Sequence, residues 1–224
     1  MSHMYFTVEK AQKYIGDLRR YVYEERINLE TLKHLPQDEP GVHAPEYDDS
    51  NWSDFAVGSS WGGRDQIHWF RKKVTIPQSW KGQKVALYLA VGAGQEGGLR
   101  GSESLAYING MPVQGLDANH AEILLTEEWI EAGEIQLAIK AFSGLQNELR
   151  WFYRAELVRI NPEAEDFFFR TATMLDTIKV LPENDFDRTN LVNLLNAAIN
   201  ATDFRLPGSE EFYASIKKAN AELK

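Results

Sequence analysis

Cysteine is absent from the 224 residues, which excludes disulfides and thiolate metal sites and fits a reducing compartment, with the cytoplasm as the expected location. No apolar run approaches the roughly 20 residues that a membrane span needs, and no charged segment followed by an apolar stretch marks a secretory signal. Neither an anchor nor a leader is therefore expected. Bases are outnumbered: 33 acids against 24 Lys and Arg leave a net charge of −9, and no local basic cluster reverses it. Polyphosphate is repelled at long range, so nucleic acid is not an expected partner, and neither is a membrane. What is plentiful is apolar surface, 43% of the chain, with six Trp, nine Tyr and eleven Phe. A sizeable core can be built from these, and exposed aromatics would also serve for stacking on sugar faces.

The chain reads in zones. Residues 1–4, Met-Ser-His-Met, look like a cloning scar and are set aside. Over 5–35 the apolar residues Val8, Ala11, Tyr14, Ile15, Leu18, Tyr21 and Val22 recur at three- and four-residue steps, which predicts one amphipathic helix. Three prolines and a glycine in "LPQDEPGVHAPEYDDSNW" then end it and open an irregular connection. Over 36–160 short β runs alternate apolar and polar residues, as in "IHWFRKKVTI" and "EIQLAIKAF", giving each strand one wet face, and Asn109-Gly110 suits a two-residue hairpin turn. Repeated strands of this kind predict a sandwich or jelly roll. Residues 161–224 return to helical period. Asn161 is placed to cap the first helix, Leu191, Leu194, Leu195 and Ala198 mark the second, and Phe212, Tyr213, Ile216 and Leu223 mark the third.

The chemistry motifs are sparse. His3, His34, His43, His68 and His120 are scattered without ligand spacing, so no metal site is expected within the chain. No nucleophile elbow surrounds a serine. The glycine-rich stretches "GAGQEGG" and "GGLRG" precede a β run and lack a Lys-Ser/Thr, so a mobile strand connection is the better reading than a phosphate cradle. Glycoside hydrolysis needs two carboxylates roughly 5 to 9.5 Å apart, and no acid pair is singled out by spacing. Glu127-Glu128 reads as a solvated turn. Trp52 and Trp69 are expected in the core. Two groups remain as binding or interface candidates. Trp61, Arg64 and Asp65 flank Gly62-Gly63 in an expected loop. Asp117, Asn119 and His120 follow the hairpin, where turn-closing trim is the first reading and a surface facing a partner the sharper one.

The stretch "DDSNWSDFAVGSSWGGRDQIHWFRKKVTIPQSWKGQKVALYLA" resembles the jelly-roll accessory domains of many glycosidases. "AYINGMPVQGLDANHAE" at 106–122 and "DFRLPGSEEFYASI" at 203–216 resemble the amino-terminal region of family 38 glycoside hydrolases, the zinc-dependent retaining α-mannosidases, here of the cytosolic type. The resemblance covers nearly the whole chain. It implies an α+β chain, mainly β with helices: a galactose-binding-like jelly-roll β-sandwich between an amino-terminal helix and a helical segment leading to a catalytic barrel. Nucleophile and zinc ligands belong to that barrel in the family, so no catalytic residue and no cofactor is expected in this chain, and zinc only in the parent's barrel. The partners it implies are the parent's own catalytic domain, and a homo-oligomer or a mannose-containing glycan. A free-standing carbohydrate-binding module and a pure assembly domain are the competing readings.

Overall fold

A computed structural model describes residues 2–92, 103–117 and 119–223. The glycine-rich connection lies outside these residues. A first helix, α1 (Ser2–Leu18), precedes β1 (Tyr23–Asn28), β2 (Thr31–Leu35), β3 (Ser53–Ala56), β4 (Ser60–Gly63), β5 (Ile67–Thr75) and β6 (Lys84–Ala90). Then come β7 (Glu103–Ile108), β8 (Met111–Leu116), β9 (Glu122–Leu124), the short α2 (Glu127–Ala132), β10 (Glu134–Phe142), β11 (Glu148–Trp151) and β12 (Arg154–Ile160). Helices α3 (Pro162–Val180), α4 (Phe186–Ala201) and α5 (Glu210–Glu222) follow. The chain divides into two compact units, residues 25–159 and the pair of segments 1–24 and 160–224.

In the first unit a six-stranded sheet, ordered β3-β2-β5-β10-β7-β8, and a four-stranded sheet, β1-β12-β6-β9, turn their inner faces into one core, and β4 pairs with β11. The alternation read from the sequence sets those faces. Phe70 and Val74 of β5 meet Ile135, Leu137 and Ile139 of β10 on the inner side, opposite Leu87 and Leu89 of β6 and Leu157 of β12. Phe70 is the hub, fully buried among Phe55, Trp61, Phe152 and His34, with ring centroids 4.9 to 5.7 Å away.

Two readings of the sequence are corrected here. The amino-terminal helix ends at Leu18, not near residue 35, and β1 and β2 occupy most of the remainder. Leu29 and Leu32 are three apart and mimic helical spacing, yet both enter the sandwich core, and β1 satisfies its backbone beside β12. Tertiary pairing overrides the local period. The outer face of β5 is also not wet. Arg71 is 1% exposed and Trp69 is buried, because residues 36–52 fold over the sheet as a strap whose Val42 packs with Trp69 and Ala138, with half-buried Tyr47 and Trp52 at the margin.

Arg71 fastens that strap. Its Nε donates to Asp49 Oδ2 at 2.8 Å, Nη1 donates to the carbonyls of Val42 and Ala44, and Nη2 to those of Pro45 and Tyr47. The guanidinium also lies over the Tyr47 ring, 5.5 Å from its centroid. The strap closes some local turns of its own, as from Tyr47 N–H to the Ala44 carbonyl, and one planar fork of donors supplies carbonyls that a strand neighbour would otherwise serve.

Glu127 and Glu128, read as a solvated turn, form the first turn of α2, which Thr126 caps and Gly133 ends at φ 76°. In the helical unit Asn161 accepts from Ala164 N–H at 2.8 Å, and Asp185 and Ser209 cap α4 and α5 in the same way. Ala11 and Ile15 of α1 pack with Leu175, Ile178, Val192, Leu195 and Ile199, while Leu18 joins Phe167, Phe212 and Ile216. Val192 and Ile199 carry the buried stripe of α4 beside Leu195 and Ala198, and Leu194 is exposed. No helix of the described residues is long and apolar enough to cross a membrane.

Candidate functional site

The residues from Trp61 to Asp65 do not form one loop. Trp61, Gly62 and Gly63 belong to β4, paired with Arg150, Leu149 and Glu148 of β11. Trp61 is 3% exposed, and its Nε1 donates to the Val91 carbonyl at 2.7 Å, so it is a core residue and not a contact for a ligand. The glycines serve the fold as well: a Cβ at Gly62 would stand 3.0 Å from the Glu148 carbonyl oxygen, and one at Gly63 would meet the Gln66 side chain at 2.8 Å. Arg64 and Asp65 do reach the surface, with Asp65 at φ 56° and its N–H donated to the Gly144 carbonyl.

Asp117, Asn119 and His120 are all exposed. Asp117 Oδ1 accepts the backbone N–H groups of Asn119 and His120 at 2.7 and 2.9 Å, and His120 Nδ1 lies 2.9 Å from the same oxygen. The His120 hydrogen bond and these amides hold the Asp117 carboxyl below its ordinary range. The arrangement is a side-chain-closed turn. Gln114 stitches it down by donating to the carbonyls of His120 and Glu122. The strand register places this turn and the Arg64-Asp65 corner at the same end of the six-stranded sheet, three strand spacings or roughly 14 Å apart. No hydrogen bond or ion pair joins the two groups among the described residues.

A polar feature that sequence spacing missed lies at the sandwich margin. His34 Nε2 and His68 Nδ1 are 2.8 Å apart, and His68 Nε2 is 3.2 Å from Gln66 Oε1. One tautomer set satisfies this chain: His68 donates to Gln66 and accepts from His34. The imidazoles stack, with His34 also against Phe70, and both residues come from different strands that only the β2–β5 pairing brings together. Burial, and secondly the charge of His68, pushes His34 down to about 4, and burial lowers His68. The unfolded chain binds these protons near pH 6.5 and the folded pair resists them, so stability is full above that pH and falls as the pH drops toward 4. Between pH 7 and pH 5 the wild type is expected to lose on the order of 1–2 kcal/mol more than His34→Phe/His68→Leu, a figure discounted for solvation of the half-buried His34 ring. Urea titrations at both pH values measure it, and equal losses would refute the coupling.

This pair does not suit zinc. Both nitrogens of His68 are engaged, and among the described residues no three His, Cys, Asp or Glu side chains come together as ligands for one ion. The described residues therefore do not fit the metal that the family resemblance implies for its catalytic barrel.

In the sandwich unit a cleft of about 250 Å³ is lined by residues 28–30, Val57 and residues 153–156. The backbone clamps its walls: Leu29 N–H donates to the Ala155 carbonyl at 2.8 Å, Val57 N–H to Glu30 at 2.9 Å, and Tyr153 N–H to Ala90 at 2.9 Å. Arg154 grips Glu156 through Nε and Nη2 at 3.0 and 2.6 Å and lies 4.6 Å from the Tyr88 ring centroid, while Arg26 reaches Glu156 at 3.4 Å. Tyr153, 44% exposed, lies near-parallel to Trp151 at 6.3 Å. Nothing in the β run "WFYRAELVRI" announces this cleft, because its other wall comes from β1 and the turn after it.

Residues 27–172 match the family described as the α-mannosidase jelly-roll domain. The chain belongs to that family. Along its full length it is 22% identical to the α-mannosidase G of Dictyostelium discoideum, of which it spans 22%. Among solved structures, a β-glucuronidase 2 of Bacteroides uniformis is 18% identical over 62% of this chain and 18% of its own, with a TM-score of 0.48. A β-glycosidase from Bacteroides vulgatus is 23% identical over 60% of this chain and 20% of its own, with a TM-score of 0.44. The α-mannosidase jelly-roll match runs from β1 into α3, so it includes the strap, the histidine pair and the cleft.

Proposed function

We propose that this chain is a non-catalytic accessory portion of a longer α-mannosidase of the zinc-dependent family 38 type, working in the cytoplasm. It supports the catalytic barrel, the entrance through which substrate reaches it, or the assembly of subunits. The observation that carries this reading is the full-length match to 22% of an α-mannosidase, centred on the jelly-roll domain. Glycosidic cleavage needs an acid and a nucleophile flanking the bond, and under this reading both, with the metal, are supplied by the barrel. Arg64, Asp65, Asp117, Asn119 and His120, exposed at one end of the six-stranded sheet, are the groups available to meet the barrel or a neighbouring subunit. The lack of cysteine fits the cytoplasmic setting.

Incubating the purified chain with an aryl α-mannoside, with and without added zinc, is expected to release no phenol above the buffer blank. Turnover that survives repurification and scales with chain concentration would overturn the accessory reading.

A further inference from the structure

We propose that the cleft beside Tyr153 binds one neutral pyranose ring of a glycan. A pyranose offers an apolar face of C–H groups and a rim of hydroxyls that donate and accept together. Its partner needs an exposed aromatic plane next to side chains of both hydrogen-bonding kinds. The cleft has them. Tyr153 presents its ring at the mouth, while Phe152 beside it is fully buried and Tyr153 N–H is tied to Ala90, so the ring is carried on fixed backbone. Asn28, with a donor and an acceptor, and Glu30, an acceptor, also line it, both exposed. Among the described residues neither side chain, nor the Tyr153 hydroxyl, has a hydrogen-bond or ion-pair partner. Glu156 is different, since Arg154 and Arg26 already hold it, and it serves as part of the wall.

Size and charge narrow the ligand. At about 250 Å³ the space is below that of drug-sized sites and admits one ring, leaving the remainder of an oligosaccharide in solvent. Glu30 is unmatched among the described residues, whereas Arg154 and Arg26 share Glu156, so a carboxylate or phosphate placed beside Glu30 is repelled there while a neutral ring is not. Walls already held by backbone hydrogen bonds lose little freedom on binding, which permits measurable affinity from a small contact.

The test is an NMR titration of the whole chain with methyl α-mannopyranoside, with the gluco epimer and glucuronate as comparators. The mannoside as probe rests on the α-mannosidase reading; the pyranose class rests on the cleft alone. Saturable shifts confined to residues 28–30, 57 and 153–156 are expected, with a dissociation constant on the order of 1 mM. Tyr153→Ala should weaken binding at least about tenfold and Glu30→Gln several-fold at unchanged melting temperature, while Phe169→Ala in the helical unit leaves it alone. Binding of the gluco epimer supports the pyranose class. The proposal falls if neither neutral sugar gives saturable shifts, if the shifts map elsewhere, if Tyr153→Ala binds normally, or if glucuronate binds more tightly. Failure of the sugar site would leave the accessory reading standing, whereas aryl mannoside turnover would overturn that reading without bearing on the cleft.

Discussion

Replacing Arg71 with methionine is expected to destabilise the sandwich unit by about 3–5 kcal/mol, the range for removing one partner of a buried, hydrogen-bonded charge pair. Methionine fills much of the volume but donates nothing. The carbonyls of Val42, Ala44, Pro45 and Tyr47 would each lose their guanidinium donor, and Asp49 would lose its ion pair. Unsatisfied carbonyls cost most where water cannot reach them, and Val42 is fully buried. The strap should open before the sandwich melts, so limited proteolysis ought to cut within residues 36–52 at denaturant levels where the wild type resists. Arg71→Lys is expected to recover only part of the loss, because a single ammonium cannot reach five acceptors in one plane. Urea midpoints for Arg71→Met within 0.5 kcal/mol of wild type would show that the strap holds by packing alone.

Trp61→Ala is expected to cost about 3–5 kcal/mol, as for other large aromatic truncations in a core. The ring fills space beside Phe70 and His68, and its N–H satisfies the Val91 carbonyl at the end of β6. Trp61→Phe separates the two contributions. It keeps most of the packing and loses the hydrogen bond, for a cost of about 1–2 kcal/mol. Arg64→Ala, only three positions later, should change stability by less than about 0.5 kcal/mol, since that side chain is exposed and makes no ion pair among the described residues. Unfolding curves for the three variants decide the matter, and a Trp61→Ala loss as small as that of Arg64→Ala would remove Trp61 from the core.

The contrast between Trp61 and Arg64 also marks what the sequence discloses. Alternation along "IHWFRKKVTI" correctly orients Phe70 and Val74 inward, because the inner face of a strand is set by a local two-residue period. The fate of the outer face is set by a segment 20 to 30 residues earlier, and no local pattern tells that Arg71 will be covered by the strap. Trp61 and the two glycines look like a loop because glycine is common in loops; here glycine lets β4 approach β11 closely. Asp117 to His120 was legible as turn chemistry, since the interactions span three residues. The His34–His68 pair and the Tyr153 cleft were not, because each is assembled from strands distant in sequence and side by side in a sheet.

The sandwich unit is inserted within the helical one, since residues 25–159 separate α1 from the helices it packs against. During synthesis at 5–20 residues per second, α1 leaves the ribosome roughly 10 s or more before α3 is complete. Its apolar stripe must wait, and an unescorted stripe of this kind is a target for chaperones. Once the sandwich has closed, β1 lies beside β12, and the Asn161 N–H reaches the Val22 carbonyl at 2.9 Å. The two ends of the interrupted unit are then delivered to each other. Pairing β1 with β12 brings together two points that an open loop of well over a hundred residues would otherwise hold apart, which lowers the closure-entropy cost of joining α1 to the later helices.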